Sequence, residues 1–335
     1  MISIGLLGCG RIGRLHAEIV GRHPAARLDW CFDVRREAAD AVAAAVGGRV
    51  ADRIEQVLDD PGVHAVLIAT STDTHADLLA RAAQAGKAVF CEKPIDLDLA
   101  KVDACADLIA DCHVPIQIGF NRRFDPGHRA AWEAARAGQI GELHQVIVTS
   151  RDPEIPPRSY LAVAGGLLRD MTIHDFDLAR FMLGEEPVEV VAMIGALGDP
   201  TLADEGEADS AMIVLRTSSG RLCHINNSRS AVYGCDQRVE LLGAAGMLLS
   251  DNRRPHELRS FGREFTAARA PLLHFFLERY REAFERQFES FVRAVRGEAV
   301  VEVGFEDGRR ALVLAEAAYE SVETGKSVRV AAASP

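Results

Sequence analysis

An aspartate and a histidine stand four positions apart in the run Gly-Gly-Leu-Leu-Arg-Asp-Met-Thr-Ile-His-Asp-Phe-Asp, residues 165–177. On one continuous helix, Asp170 and His174 would share a face. A carboxylate beside an imidazole is the smallest kit for moving a proton near neutral pH. In isolation such a pair is more often a helix cap and a satisfied core histidine. Two other features tilt it towards chemistry. Lys93 lies between Glu92 and Pro94 at the end of an apolar strand pattern, and an ammonium placed there can stabilise negative charge on a reacting oxygen. The chain also opens on a glycine loop of the kind that holds a dinucleotide. Together they suggest a nicotinamide enzyme that oxidises an alcohol.

Residues 2–7 form a short apolar run, Gly8-Cys9-Gly10-Arg11-Ile12-Gly13 follows directly, and a helical pattern continues to about residue 22. This is G-x-G-x-x-G between a strand and a helix. Gly8 permits the tight turn, Gly10 lets backbone approach a pyrophosphate, and Gly13 lets helix and strand pack closely. Arg11 and Ile12 open the helix, whose N-terminal N–H groups favour phosphate. A second strand over residues 28–33 ends in Asp33, twenty residues after Gly13, where an acid accepts hydrogen bonds from a ribose diol. That acid favours NAD, although Arg35 and Arg36 leave NADP open. The alternation continues with strands at 63–69, 89–91 and 116–119 and helices between them. It predicts a doubly wound parallel sheet whose ligands bind at the carboxyl ends of its strands. Asp33, Thr70, Ser71, His75, Glu92, Lys93 and Asn121 all fall at such ends. His75 reads equally well as a cofactor contact and as a solvent-facing residue of a first helical turn.

Beyond Gly141 the pattern changes. Strands are expected at 143–150, 188–196, 210–217, 222–228, 237–242 and 247–250, with few helices between them. An open, mainly antiparallel sheet follows, one face on helices and the other on a partner or solvent. The expected division is a Rossmann domain over residues 1–121 and a substrate-binding and oligomerisation α+β domain over 122–330. Aromatics at Tyr280, Phe284, Phe288 and Phe291 make one apolar stripe on a helix. Residues 331–335 look like a loose tail.

Composition narrows the class. The net charge is −11 with a pI near 5.5, and no basic run is present, which disfavours nucleic acid or anionic membrane as partner. No apolar stretch reaches the roughly 20 residues needed to span a bilayer. The first residues read as a buried strand, not a signal peptide. Seven scattered cysteines without a C-x-x-C pair suggest reduced thiols in the cytoplasm, with no zinc site.

The chain resembles the glucose–fructose oxidoreductase/inositol dehydrogenase family over nearly its whole length. The likeness rests on residues 8–13, Glu92-Lys93-Pro94, the Gly-Phe-Asn-Arg-Arg-Phe-Asp-Pro run at 119–126 and residues 169–177. Ser228-Arg229-Ser230-Ala231-Val232-Tyr233-Gly234, leading into Asp236-Gln237-Arg238, is most similar to the bacterial inositol 2-dehydrogenases within it. The resemblance implies that Lys93, Asp170 and His174 lie near the nicotinamide. It also implies NAD-dependent oxidation of myo-inositol to the 2-keto sugar, often by a homotetramer, without a metal. Arg123 and Tyr233 match substrate-lining positions. Asp152, where some relatives carry other polar groups, is a further candidate, and Cys235 stands where an aromatic residue is expected. On this reading His174 is the general base, Asp170 orients it, and Lys93 binds the reacting oxygen. Three other readings stay open: a dehydrogenase of another inositol isomer or a pyranose, an aminosugar or imine reductase, and a nucleotide-binding regulator without chemistry.

Overall fold

A computed structural model describes residues 1–330; the expected tail at 331–335 lies outside them. The chain divides into two units, one of residues 1–121 with 284–312 and one of residues 122–283 with those from 313 onward. Residues 284–312, expected from the sequence in the second domain, fall in the first unit. The aromatic stripe explains the difference. Phe288 and Phe291 are fully buried, and Phe291 meets Phe90 edge-on at 5.6 Å.

The first unit is built on six parallel strands, β1 (Ile2–Leu7), β2 (Ala26–Phe32), β3 (Arg49–Val50), β4 (Ala65–Ile68), β5 (Ala88–Cys91) and β6 (Ile116–Ile118), in the order β3-β2-β1-β4-β5-β6. Helices α1 (Arg11–Arg22), α2 (Arg36–Val46), α3 (Glu55–Leu58), α4 (His75–Gln84) and α5 (Leu99–Ile109) fall between the strands in sequence. Every residue of β1, β4 and β5 is buried, as their unbroken apolar runs require of strands covered on both faces. The strand order reverses between β1 and β4, the switch point at which such sheets bind ligands.

The second unit opens with α6 (Pro126–Arg136), followed by β7 (Leu143–Arg151) and by helices α7 (Arg158–Ala164), α8 (Leu167–Asp170) and α9 (Ile173–Leu183). Strands β8 (Pro187–Gly195), β9 (Ser210–Thr217), β10 (Leu222–Ser228), β11 (Asp236–Gly243) and β12 (Gly246–Ser250) come next, then a small hairpin of β13 (Arg259–Ser260) and β14 (Ala268–Arg269). Helices α10 (Phe276–Arg279), α11 (Arg281–Val295) and α12 (Phe305–Thr324) precede the last strand, β15 (Val328–Arg329); α11 from Phe284 and α12 up to Leu312 belong to the first unit. The sheet order is β12-β11-β7-β10-β9-β8-β15. All neighbours are antiparallel except β7 and β10. Strict alternation along β9 buries Ala211, Ile213, Leu215 and Thr217 and exposes Met212, Val214 and Arg216, so one sheet face is core and the other is open.

Buried charge fixes the start of α6. Asp125 caps it, accepting from the Gly127 and His128 N–H groups, and its other oxygen takes the buried Arg279 guanidinium at 2.5 Å. His128 is fully buried against Ser250 Oγ at 2.8 Å. Burial pushes its imidazole down to about 3, against the pull of Asp125. The unfolded chain therefore binds a proton near pH 6.5 that the folded chain excludes. This contribution to stability is complete above about pH 6.5 and is lost as pH falls towards 3, by at most about 1.4 kcal/mol per pH unit. Urea midpoints measured from pH 7 down to pH 4 should fall more steeply for the wild type than for His128→Gln; equal slopes would contradict the assignment.

Candidate active site

The nucleotide-facing loop follows β1 directly. Gly8 has φ +91°, and a Cβ there would stand 2.4 Å from the Ala69 carbonyl oxygen. A Cβ at Gly13 would lie 1.9 Å from the Gly8 carbonyl oxygen. Both glycines are thus required by backbone approaching backbone. Gly10 is different: nothing stands within 4 Å of where its Cβ would be, and as N-cap of α1 it offers no side-chain cap. Open space before an uncapped helix N-terminus is what a pyrophosphate needs. Arg11 is exposed and Ile12 partly so. Asp33 follows β2, with its carboxylate accepting from the Cys9 N–H at 2.7 Å and the Arg35 N–H at 2.8 Å. The acid thereby ties the glycine loop to the end of β2. These residues fit an NAD molecule.

Thr70 and Ser71 follow β4, and Thr70 Oγ1 pairs with Thr74 Oγ1 at 2.7 Å. His75 is not solvent-facing. It is 2% exposed, with Nδ1 2.8 Å from the Pro94 carbonyl and Nε2 3.1 Å from the Thr70 carbonyl. The first turn of α4 faces inward, so His75 joins the ends of β4 and β5. Glu92 is also enclosed. Its carboxylate meets His16 Nε2 at 2.7 Å and the Lys93 N–H at 3.3 Å, and a Cβ on Gly119 would come within 2.6 Å of it. Glu92 and His75 therefore hold the segment that presents Lys93, which is half-buried and followed by a cis proline bond.

In the second unit, Asp170 and His174 do not share one helix. Asp170 ends α8 and His174 stands in the first turn of α9. The ladder breaks because the Thr172 N–H reaches back to the Leu167 carbonyl and the His174 N–H to that of Met171. Thr172 is held by its hydroxyl on Asn227 at 2.7 Å. Asp170 is gripped on both oxygens: Tyr160 donates to Oδ1 at 2.8 Å and Arg229 to Oδ2 at 2.6 Å. Arg229 lies in the motif at 228–234, and nothing in its local sequence marks it as a partner of Asp170. Tyr160 carried no signal, since only the fold brings α7 against α8.

The substrate candidates part company. Arg123, expected to line a pocket, is buried and paired bidentately with Asp177, Nε to Oδ2 at 2.8 Å and Nη2 to Oδ1 at 2.5 Å. Its neighbour Arg122 uses one nitrogen, Nη1, to donate both to the Asp175 carboxylate and to the Ser150 hydroxyl. Burial raises Asp175 despite that guanidinium. Asp152 and Tyr233 belong to one loop system. The Asp152 N–H donates to the Ser228 carbonyl, and the Ala231 N–H to that of Asp152. Arg151 donates to the Tyr233 hydroxyl, which donates to Asp236. Tyr233 also lines a cleft of about 690 Å³ with Asp236, Arg238, Asn252, Arg254 and Arg269. Among the described residues no group of three or more His, Cys, Asp or Glu side chains could hold a metal ion.

The glycine geometry separates two variants. Gly10→Ala should leave the melting temperature of the free protein within about 2 °C of wild type and weaken NADH binding at least tenfold, read by fluorescence titration. Gly13→Ala should lower both, because its Cβ collides with backbone. Equal melting losses in the two variants would contradict this account of the loop.

Comparison with known proteins agrees with these features. Residues 2–120 match the oxidoreductase family with an NAD-binding Rossmann fold, and residues 128–249 match the GFO/IDH/MocA C-terminal domain. The chain is 46% identical to inositol 2-dehydrogenase of Rhizobium meliloti (strain 1021), over 98% of this chain and 99% of that protein. The crystal structure of a myo-inositol dehydrogenase from Corynebacterium glutamicum superposes with a TM-score of 0.96 at 39% identity, covering 99% of this chain and all of that one. The scyllo-inositol dehydrogenase of Lactobacillus casei, solved with bound NAD(H) and scyllo-inositol, gives 0.91 at 28% identity, covering 99% and 100%. An NAD-fitting glycine loop in one unit, an open mixed sheet in the other, and likeness across the full length lead to one conclusion: the chain belongs to the GFO/IDH/MocA family of oxidoreductases.

Proposed function

We propose that the chain is an NAD-dependent inositol dehydrogenase that oxidises myo-inositol to 2-keto-myo-inositol. The observation that carries this reading is the near-complete likeness to an inositol 2-dehydrogenase at 46% identity. The glycine loop and the clamped Asp170 fit it. Bound NAD would be held by residues 8–13, Asp33 and the turn at Thr70 and Ser71, and it would supply the hydride acceptor. Asp33 favours NAD over NADP, because a carboxylate repels a 2′-phosphate.

The chain's own residues do the proton chemistry. His174 takes the hydroxyl proton, Asp170 stabilises the imidazolium that forms, and the Lys93 ammonium hydrogen-bonds the oxygen as it gains alkoxide character. Asp152 and Tyr233 supply hydrogen bonds to the other hydroxyls. Arg123 is better read as a support, since Asp177 holds its guanidinium. A second reading, scyllo-inositol as the preferred substrate, draws on the scyllo-inositol bound in the Lactobacillus casei relative.

The open sheet face supports self-association. Val191 opposes Val214 and Met193 opposes Met212, all four exposed. An apolar patch of this kind marks a contact surface, and we assign it to copies of the same chain in a homotetramer. Seven free cysteines, six of them buried, suit a reducing cytoplasm.

Two measurements test this reading. NADH formation at 340 nm from NAD and a panel of inositols and pyranoses should be strongest with myo-inositol. It should fall by about 10²- to 10⁴-fold in Lys93→Ala and in His174→Ala. Turnover of a pyranose alone would keep the reaction class and remove the substrate. Tight NAD binding without any turnover would favour a regulator. Light scattering should give four times the 36.3 kDa chain mass for the wild type and a smaller species for Met212→Asp; a monomeric wild type would end the tetramer assignment.

A further inference from the structure

Arg229 is among the largest fully buried side chains, at 1% exposure. Among the described residues its guanidinium has one hydrogen-bond partner, the Asp170 carboxylate, which Nη2 meets at 2.6 Å. The other two guanidinium nitrogens, Nε and Nη1, are buried without a hydrogen-bond partner among the described residues. A guanidinium taken out of water and given one partner is an expensive arrangement, and such orphaned donors call for an explanation. A site selected for stability alone would satisfy the fork or replace it with an apolar side chain.

The backbone around Arg229 is fixed. Residue 229 directly follows β10, and its N–H donates to the Asp209 carbonyl at 2.8 Å. The fully buried Asp209 carboxylate accepts from the Leu197, Gly198 and Asp199 N–H groups and from the Ser210 hydroxyl. The end of β10 is thus pinned to the loop after β8. From that anchor the Arg229 side chain reaches the end of α8. Tyr160, on α7, approaches the same carboxylate from its other side, with its hydroxyl 2.8 Å from Oδ1. Both Asp170 oxygens therefore accept from donors on separate elements, and the carboxylate cannot turn without losing one of them.

We propose that Arg229 and Tyr160 are positioning residues. They fix the orientation and charge of Asp170, and through it they set the turnover of the proton transfer assigned to His174. The inference rests on the functional reading above, in which Asp170 supports His174. Glu207 lies near the pair. Burial raises its carboxyl, Arg229 counters that rise and Asp170 adds to it. The one guanidinium thus acts on two carboxylates, and losing it would weaken the electrostatic support of both.

A double-mutant cycle in kcat tests the proposal with the full-length enzyme. Arg229→Met should lower kcat by about 10- to 100-fold, the coupling expected of a buried charged pair. The KM for NAD should stay within about twofold, because the residue supports the proton transfer and not cofactor binding. Arg229→Lys should recover part of the loss. In an Asp170→Asn background, Arg229→Met should cost less than about threefold, since its target is gone. Tyr160→Phe alters a half-exposed side chain and spares the core, so its own cycle against Asp170→Asn decides the matter if Arg229→Met does not fold. A loss that persists in full in the Asp170→Asn background overturns the proposal. Wild-type turnover in Asp170→Asn alone is a separate result: it removes the reading of Asp170 itself, and this inference with it.

Discussion

The first unit depends on one close approach of backbone to backbone. Helix α1 starts where it does because nothing projects from Gly13 towards the Gly8 carbonyl, which a Cβ would meet at 1.9 Å. That approach sets the direction of the helix N-terminus and leaves Gly10 facing open space. The Cys9 N–H then donates to Asp33, so the loop that would receive the phosphates and the acid that would receive the ribose are fixed by one hydrogen bond of 2.7 Å. The same economy recurs at the end of β5. There Glu92 meets His16 of α1 and the Lys93 N–H, with Gly119 making room. Lys93 is presented by a segment whose neighbours on both sides are pinned.

The second unit uses buried charge for a similar purpose. Arg122 with Asp175 and Arg123 with Asp177 tie the start of the unit to α9, which carries His174. Asp125 with Arg279 does the same for α6 and α10. Buried pairs of this type contribute little net stability when complete and cost several kcal/mol when one partner is lost. Their value here lies in register. Each guanidinium accepts only a narrow range of carboxylate positions, so helix α9 has one seat on its unit.

Much of this was legible in the sequence. The strand–glycine loop–helix pattern and Asp33 have local signatures, because a tight turn and a ribose diol each demand a residue type at a set distance. The parallel first sheet followed from unbroken apolar strands alternating with helices, and the open second sheet from alternation with short turns. Other features were not legible, because they depend on what the fold brings together. Arg123 looked like a substrate ligand, yet its partner Asp177 lies 54 residues away. His75 looked exposed or ligand-facing, and the inward turn of α4 buries it. The spacing of Asp170 and His174 suggested one helical face, and the Thr172–Asn227 hydrogen bond accompanies a break that no local pattern announces. Tyr160 and Arg229 are 10 and 59 residues from the carboxylate they hold, and neither spacing has a periodic meaning.

The central claim is that the chain moves a hydride from a carbinol carbon to a nicotinamide while its own side chains take the proton. Single turnover of myo-inositol deuterated at C2 with NAD tests it most directly, the product cofactor being read by proton NMR. The account requires the deuterium to appear at C4 of the reduced nicotinamide, on one face only, with a slower transfer step than for the unlabelled substrate. Reduced cofactor without deuterium, or label washed into solvent, would contradict it.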